Sequence, residues 1–498
     1  MQFPSRIFCL IAFTVGAVSS SISGGPSGAD YDSVASRLLA TGLRTCESFD
    51  MLKELTSQAP HRLSGSAGAA KAVEIAREMM VKRGFDKVHL ETVMVPHWVR
   101  GDVEEAMITR SATKKGTPLT ICALGGSIGT PKGGVEGEVI EAKSFDELKS
   151  LGEAAKGKIV FFNRPFDATK LNTFEAYGGA VDQRGRGAVE AAKAGGIAVL
   201  VRSMTLATDD VPHTGVMSYV DSVKKIPAAA VSTVDADMLS ELLAREKNIE
   251  VRMKLTCKTL PDAQSANVVG EITGSEKPNE VIVVGGHLDC WDKGQGAHDD
   301  GSGSVQAIEV VNLIKKLGLT PKRTIRAVMF MNEENGDRGG KAYPVAPERK
   351  GEKHVAAIES DRGGFAPRGI SVQADSTVLR KVQQWASFFK RFDAGQIESG
   401  YSGVDVFPMV EKGVPGFGLD VENQRYFDYH HSDNDTIDKV NRRELELGAD
   451  RMTQRVVDIL EVIEIAIEHG ETVTAASGAG KLQADPVQKG GAVGQSGQ

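Results

Sequence analysis

The chain has 498 residues, 41% hydrophobic and 25% charged, enough apolar material for a large core without disulfide or metal staples. Its 59 Lys and Arg against 66 Asp and Glu give a net charge of −7, without the basic stripe that nucleic acid or an anionic membrane would require. That composition excludes coiled coil, collagen and wholesale disorder, and reads as a soluble globular protein.

Arg6 precedes an apolar run over 7–18, and Ala17-Val18-Ser19 offers a cleavage site. The run is about a dozen residues, short of the roughly 20 that a spanning helix needs, so 1–20 reads as a secretory signal. No later segment is apolar enough to span. The mature chain is expected in the secretory pathway, secreted or lysosomal, with no stable membrane insertion. Beyond Cys9 in the signal stand Cys46, Cys122, Cys257 and Cys290, for which the oxidising compartment makes one disulfide plausible.

Residues 21–45, rich in Ser and Gly, read as a propeptide or N-terminal arm. Helical periodicity runs over 67–83 and stops at Gly84. Strands are expected over 88–95, 103–109 and 119–123, with Lys114-Lys115-Gly116 as a turn. Over 127–255 short β-rich pieces (137–140, 158–162, 197–201, 228–231) alternate with helices at 187–194 and 235–244, as in a small α/β unit. The larger domain resumes near Asn267, with apolar β-branched runs at 281–284, 324–331 and 355–358 and a helix over 305–317. Continuous apolar strands separated by helices predict an α/β fold, a mixed, mostly parallel sheet sandwiched by helices. A long amphipathic helix over 442–469 follows, and the tail over 471–498 lacks periodicity.

The chemistry concentrates between 285 and 436, at strand ends. Gly285-Gly286-His287-Leu288-Asp289 follows one strand, and Ala297-His298-Asp299-Asp300-Gly301-Ser302-Gly303 precedes a helix. Asn332-Glu333-Glu334-Asn335 closes the next strand, Glu359-Ser360-Asp361 another, and Tyr429-His430-His431-Ser432-Asp433-Asn434-Asp435-Thr436 comes last. In open α/β sheets ligands gather beyond the carboxyl ends of strands, so these loops can converge. Imidazole and carboxylate donors together suit zinc. His287, Asp299, Glu334, Asp361 and His431 make five ligands, which accommodate two zinc ions per chain if one carboxylate bridges. Of the adjacent pair Glu333 and Glu334, one can bind metal while the other reaches water as general base. Asp289 is placed to accept from the second ring nitrogen of His287 and fix its tautomer. His298 reads as a neighbour of the metal loop, His61 as either a helix cap or a site residue, and Asp405 as either an amine contact or a cap.

These pieces resemble the co-catalytic di-zinc exopeptidases of the aminopeptidase and glutamate carboxypeptidase type. The resemblance runs from about 48 to 470 and includes Ala59-Pro60-His61-Arg62-Leu63-Ser64-Gly65-Ser66, with 285–303 its most specific block. It implies that His287 and Asp361 bind one zinc, that Glu334 and His431 bind the second, and that Asp299 bridges. Glu333 matches the general base, and a cis peptide is expected at Asp299-Asp300. It further implies a zinc exopeptidase fold split by a protease-associated insertion: 46–126 and 256–470 would be catalytic, and 127–255 the insertion. Family members often form homodimers.

Many relatives place Tyr before the last ligand, to hydrogen-bond the tetrahedral intermediate; here that position is His430, which donates only in the right tautomer. His431 is taken as the ligand because it stands five residues before Thr436. The expected activity is hydrolysis of short peptides, chiefly dipeptides with free termini, as a carboxypeptidase or dipeptidase. An aminopeptidase is the runner-up, and a metal-less receptor-like binder is disfavoured because all five ligands and the base are present. Gly125-Gly126-Ser127-Ile128-Gly129 matches the serine-hydrolase elbow, but Thr130-Pro131 follows where a helix is needed, so it reads as a loop. The sequon at Asn434 falls within the metal motif and is read as unused.

Overall fold

The computed structural model describes residues 37, 40–42, 44–384, 386 and 394–468. The secretory signal expected over 1–20, most of the arm over 21–45 and the tail over 471–498 lie outside the described residues.

Nine strands come first: β1 Asp86–Val99, β2 Glu104–Arg110, β3 Pro118–Leu119, β4 Ile121–Ala123, β5 Val135–Ala142, β6 Ile159–Phe162, β7 Ala198–Arg202, β8 Ala228–Val231 and β9 Glu250–Leu255. Seven follow: β10 Lys258–Ile272, β11 Lys277–His287, β12 Arg323–Phe330, β13 Lys353–Glu359, β14 Pro367–Gln373, β15 Gln396–Ser399 and β16 Gly416–Val421. They form two eight-stranded sheets, ordered β1-β10-β12-β11-β13-β16-β14-β15 and β3-β2-β9-β5-β6-β7-β8-β4.

The first sheet is mixed. β11 pairs in parallel with β12 and β13, β13 with β16, and β14 with β15, whereas β1–β10, β10–β12 and β14–β16 are antiparallel. Alternation along β11 explains why its apolar run is unbroken. Ile282 and Val284 join the core formed with helices Ser48–Gln58, Ala67–Lys82, Ser302–Lys316 and Arg442–Glu468. Val281 and Val283 join a second cluster on the opposite face with Phe330, Tyr343, Val406 and Met409. Close approach of the helix Ser302–Lys316 to this sheet needs glycine. A Cβ on Gly303 would lie 1.8 Å from the Ser360 carbonyl, and one on Gly286 would lie 2.7 Å from the Gly303 backbone.

Two expectations need correction. β2, β3 and β4 belong to the second sheet, because β2 pairs with β9 and β4 with β8. The inserted unit therefore begins just after β1, near residue 101, and not at 127. The long β10 returns the chain to the first sheet at Lys258, earlier than Asn267, by pairing with β1 from Val99↔Lys258 onward. The disulfide is the second: Cys46, Cys122, Cys257 and Cys290 are all free thiols. Three of them are buried, and burial pushes the Cys122 and Cys290 thiols up to about 12.

Candidate metal centre

β11, β12 and β13 run in parallel, so their carboxyl ends open on the same side of the sheet. His287 ends β11, Glu333 and Glu334 follow β12, and Asp361 follows β13. Asp299 reaches them from the turn before the helix Ser302–Lys316, and His430 and His431 from the loop after the short helix Tyr426–Tyr429.

Asp299 lies at the middle of this group. One of its oxygens, Oδ1, is 3.2 Å from His287 Nε2, which is itself 3.5 Å from Asp361 Oδ1. The other, Oδ2, is 3.2 Å from His431 Nε2, which is 3.0 Å from Glu334 Oε2. Two half-sites thus share one carboxylate. Glu333 Oε2 stands 3.9 Å from His287 Nε2, beside this arrangement. The Asp299-Asp300 peptide is cis.

The electrostatics follow from burial of opposed charges. Burial acts to raise Asp299, but the imidazoles of His287 and His431 facing its two oxygens outweigh it and hold the carboxyl well below its ordinary range. Burial would lower His431, yet Glu334 and Asp299 raise it to about 9. Glu334 is pushed up to about 7 by burial and by Asp299, and Glu333 well above its ordinary range by burial and by Asp361. Among the described residues no aligned hydrogen-bond donor meets the buried Asp299 Oδ2 or Asp361 Oδ1. Buried carboxylates and imidazoles with converging lone pairs fit divalent zinc in place of protons.

Around these residues a further set of contacts fixes the loops. His287 Nδ1 donates to the main-chain carbonyl of Asp289 at 3.0 Å, whereas the Asp289 carboxylate is 4.0 Å away. Asp289 therefore does not fix the tautomer with its side chain as expected. Its Oδ1 instead accepts from the N–H groups of Asn332 (2.7 Å) and Glu333 (3.2 Å), which tie the glutamate turn to the His287 loop. Asp435 accepts from the N–H groups of His298 and Asp299. Asp300 accepts from His287 N–H and Gly303 N–H.

The open alternatives also resolve. His298 stacks with Phe365 and Tyr429, and its Nδ1 accepts from Gly364 N–H, so it turns no lone pair to the centre. His61 is exposed. Asp405 is fully buried against Gly340 and does not line the cavity. Ser127 Oγ donates to the Ile128 carbonyl and accepts from Ala228 N–H, as part of a loop. Asn434 Nδ2 donates to Asp209 Oδ2.

A cavity of about 340 Å³ opens over the centre. Asp299, Glu333, Glu334, Asp361, His430 and His431 form its floor. Its roof comes from the inserted unit: Phe174 stacks on Tyr426 (centroids 5.2 Å apart) and Tyr177 on Phe427 (4.8 Å). From the same unit Arg184 enters the wall. Neither this aromatic seam nor Arg184 was marked by any local sequence pattern.

An imidazole–carboxylate centre at the strand ends of a helix-covered mixed sheet defines a zinc metallopeptidase. Residues 267–456 match the model described as Peptidase family M28. Carboxypeptidase Q of Bos taurus is 37% identical over 424 residues, covering 84% of this chain and 87% of that protein. The solved structure of a peptidase M28 precursor from Shewanella amazonensis is 33% identical with TM-score 0.83, covering 87% of this chain and 97% of the other. A zinc aminopeptidase from Bacillus subtilis shares the fold, with TM-score 0.59 at 20% identity over 83% of this chain and 94% of its own. The chain belongs to peptidase family M28 and is a zinc exopeptidase acting on peptides. Among the described residues no helix is long and apolar enough to cross a membrane.

Proposed function

We propose that the chain is a secreted di-zinc carboxypeptidase of dipeptidase type, cleaving short peptides whose two termini are free. Arg184 carries the reading. Its side chain is 3% exposed and lines the cavity; Nη2 donates to Tyr177 Oη at 2.7 Å, and no ion pair to a carboxylate is found among the described residues. A buried guanidinium without an anion is costly, and a substrate α-carboxylate would supply the missing partner bidentately. The cavity's volume of about 340 Å³, near the small end of ligand clefts, favours short substrates. The name of the curated relatives, carboxypeptidase Q, agrees with a carboxylate reader. Secretion rests on the sequence of 1–20, and a homodimeric state on the family resemblance.

In this reading His287, Asp361 and Asp299 hold one zinc, and Asp299, Glu334 and His431 the other. Zinc bound there would polarise the scissile carbonyl and acidify the attacking water. Glu333 takes the proton of that water on its carboxylate and passes it to the nitrogen of the leaving amine. His430, which lines the cavity, donates from its ring N–H to the oxygen that becomes anionic. Arg184 and the roof orient the substrate and exclude water.

The test is kcat/KM for a free dipeptide against its N-acetyl and C-amide forms. Loss on both caps supports a dipeptidase, and loss on the C-amide alone a carboxypeptidase of wider scope. Loss on N-acetylation alone would transfer the assignment to aminopeptidase. Cleavage inside long peptides would end the exopeptidase reading.

A further inference from the structure

We propose that Arg62 is a positioning residue of the metal centre, and that the Arg62–Ser64 stretch holds the two ligand-bearing loops in register. The inference rests on the metal reading above.

Arg62 lies just before the helix Ala67–Lys82, far in sequence from any ligand, and is fully buried. Its guanidinium donates to three main-chain carbonyls: Nε to Leu288 at 2.5 Å, Nη1 to Gln295 at 2.6 Å and Nη2 to Gly296 at 2.7 Å. All three belong to the loop that joins His287 to Asp299. Gly294 and Gly296, at φ of 64° and 59°, let that loop fold back on itself, and a Cβ on Gly296 would meet Arg62 Nη1 at 2.9 Å. No carboxylate is paired with Arg62 among the described residues, so its hydrogen-bonding capacity goes to backbone alone.

Two residues on, Ser64 grips the other loop. Its hydroxyl donates to Asn335 Oδ1 and accepts from Asn332 Nδ2, each at 2.8 Å. Asn332 has φ of 77°, and the turn it opens carries Glu333 and Glu334. Pairing of β11 with β12 aligns the strand ends, and the Asp289 carboxylate ties the two loops just beyond them. The Arg62–Ser64 stretch adds a second tie, from outside the sheet. The three carbonyls are met by three separate nitrogens of a planar fork, whereas the three donors of an ammonium radiate from a single nitrogen, so Lys is no equivalent.

Electrostatics alone and positioning predict opposite signs. Removing a buried cation near the centre should tighten zinc binding if charge were all that mattered. If Arg62 positions ligands, removing it should weaken binding, as loss of outer partners of metal ligands does by about 10- to 100-fold. The experiment strips the full chain of metal and measures zinc affinity by competition with a chelator in wild type, Arg62→Gln, Arg62→Lys and Ser64→Ala. Melting temperatures of the metal-free proteins and kcat and KM of the reloaded ones are measured beside it.

Both Arg62 variants are expected to bind zinc at least ~10-fold more weakly and to lose kcat with KM nearly kept. Should Arg62→Gln fail to fold, Arg62→Lys and Ser64→Ala carry the same comparison. Zinc affinity equal to or tighter than wild type, with only the metal-free melting temperature lowered, would reduce Arg62 to a structural contact and overturn the proposal. Wild-type protein that takes up no zinc would overturn the metal reading and this inference together, whereas uptake by wild type with unchanged variants overturns this inference alone.

Discussion

The ring of His430 lies almost flat on that of His431, with centroids 3.5 Å apart and planes 19° from parallel. Two imidazoles this close cannot both be cationic at reasonable cost. Burial and the neighbouring His431 drive His430 well below its ordinary range, whereas Glu334 and Asp299 raise His431. On the proposed reading the adjacent histidines receive different work: His431, in contact with Asp299 and Glu334, is the ligand, and His430 is a neutral donor facing the cavity.

His430→Ala should therefore keep its zinc and lose turnover, by about 100-fold if the ring donates to the developing oxyanion. His431→Ala should lose zinc. Metal analysis of both variants beside steady-state kinetics decides this. Equal zinc loss in both would mean that the two rings share the ligand role.

The two glutamates divide in a similar way. Glu333→Gln keeps shape and removes the proton acceptor, so zinc content should hold at the wild-type value while kcat falls at least ~100-fold. Glu334→Gln removes a charged contact of His431 and should lower zinc content instead. Near-normal turnover in Glu333→Gln would contradict the base assignment.

Which parts were legible follows from how locally each feature is encoded. β11, β12 and β13 announce themselves because both faces are buried, so Val281 to Val284 need no polar alternation. β14 and β16 carry Gly369, Ser371, Gly416 and Gly418, whose small side chains make room for neighbouring backbone and erase the β-branched pattern. The first half of β10 is largely polar and half-exposed, extended only because β1 pairs with it, and no periodicity could reveal that. The candidate ligands stand in short motifs at strand ends, where His, Asp and Glu are conspicuous. Arg62 bonds carbonyls 226 to 234 positions away, and backbone partners leave no side-chain trace in sequence. Arg184 was hidden for a related reason: its partner, on the proposed reading, is the substrate.

Arg184→Met keeps much of the packing and removes the cation. KM for a free dipeptide should rise at least ~10-fold, in line with loss of a charge-assisted hydrogen bond, while the C-amide should suffer little. The ratio of the two kcat/KM values is the readout. An unchanged preference for the free carboxylate would place the carboxylate reader elsewhere.

A last prediction concerns stability far from the cavity. Glu309, on the helix Ser302–Lys316, and Asp450, on the helix Arg442–Glu468, are both buried between those helices. Glu309 Oε2 accepts from Asn312 Nδ2, and the nearest cation, Lys316 Nζ, is 3.9 Å from Oε1 and is bonded more closely to Glu47. Among the described residues neither Asp450 oxygen has a hydrogen bond. Burial, with Glu47 adding to it, raises Glu309 to about 7, and burial, with Glu309 adding to it, raises Asp450 to about 8. Unfolded, both would titrate near 4. Between those limits the folded chain binds more protons than the unfolded one, so stability from this pair is full below about pH 4, falls progressively as pH rises, and is gone once pH has passed the folded values of about 7 and 8. In zinc-saturated buffer the melting temperature of wild type should accordingly fall with rising pH more steeply than that of the Glu309→Gln/Asp450→Asn double variant. Comparing the two proteins at each pH cancels the titration of the metal centre, which they share. The difference curve should climb in favour of the variant from about pH 4 to about pH 8 and level off above that; parallel curves would show that the two carboxyls are not held protonated in the folded chain.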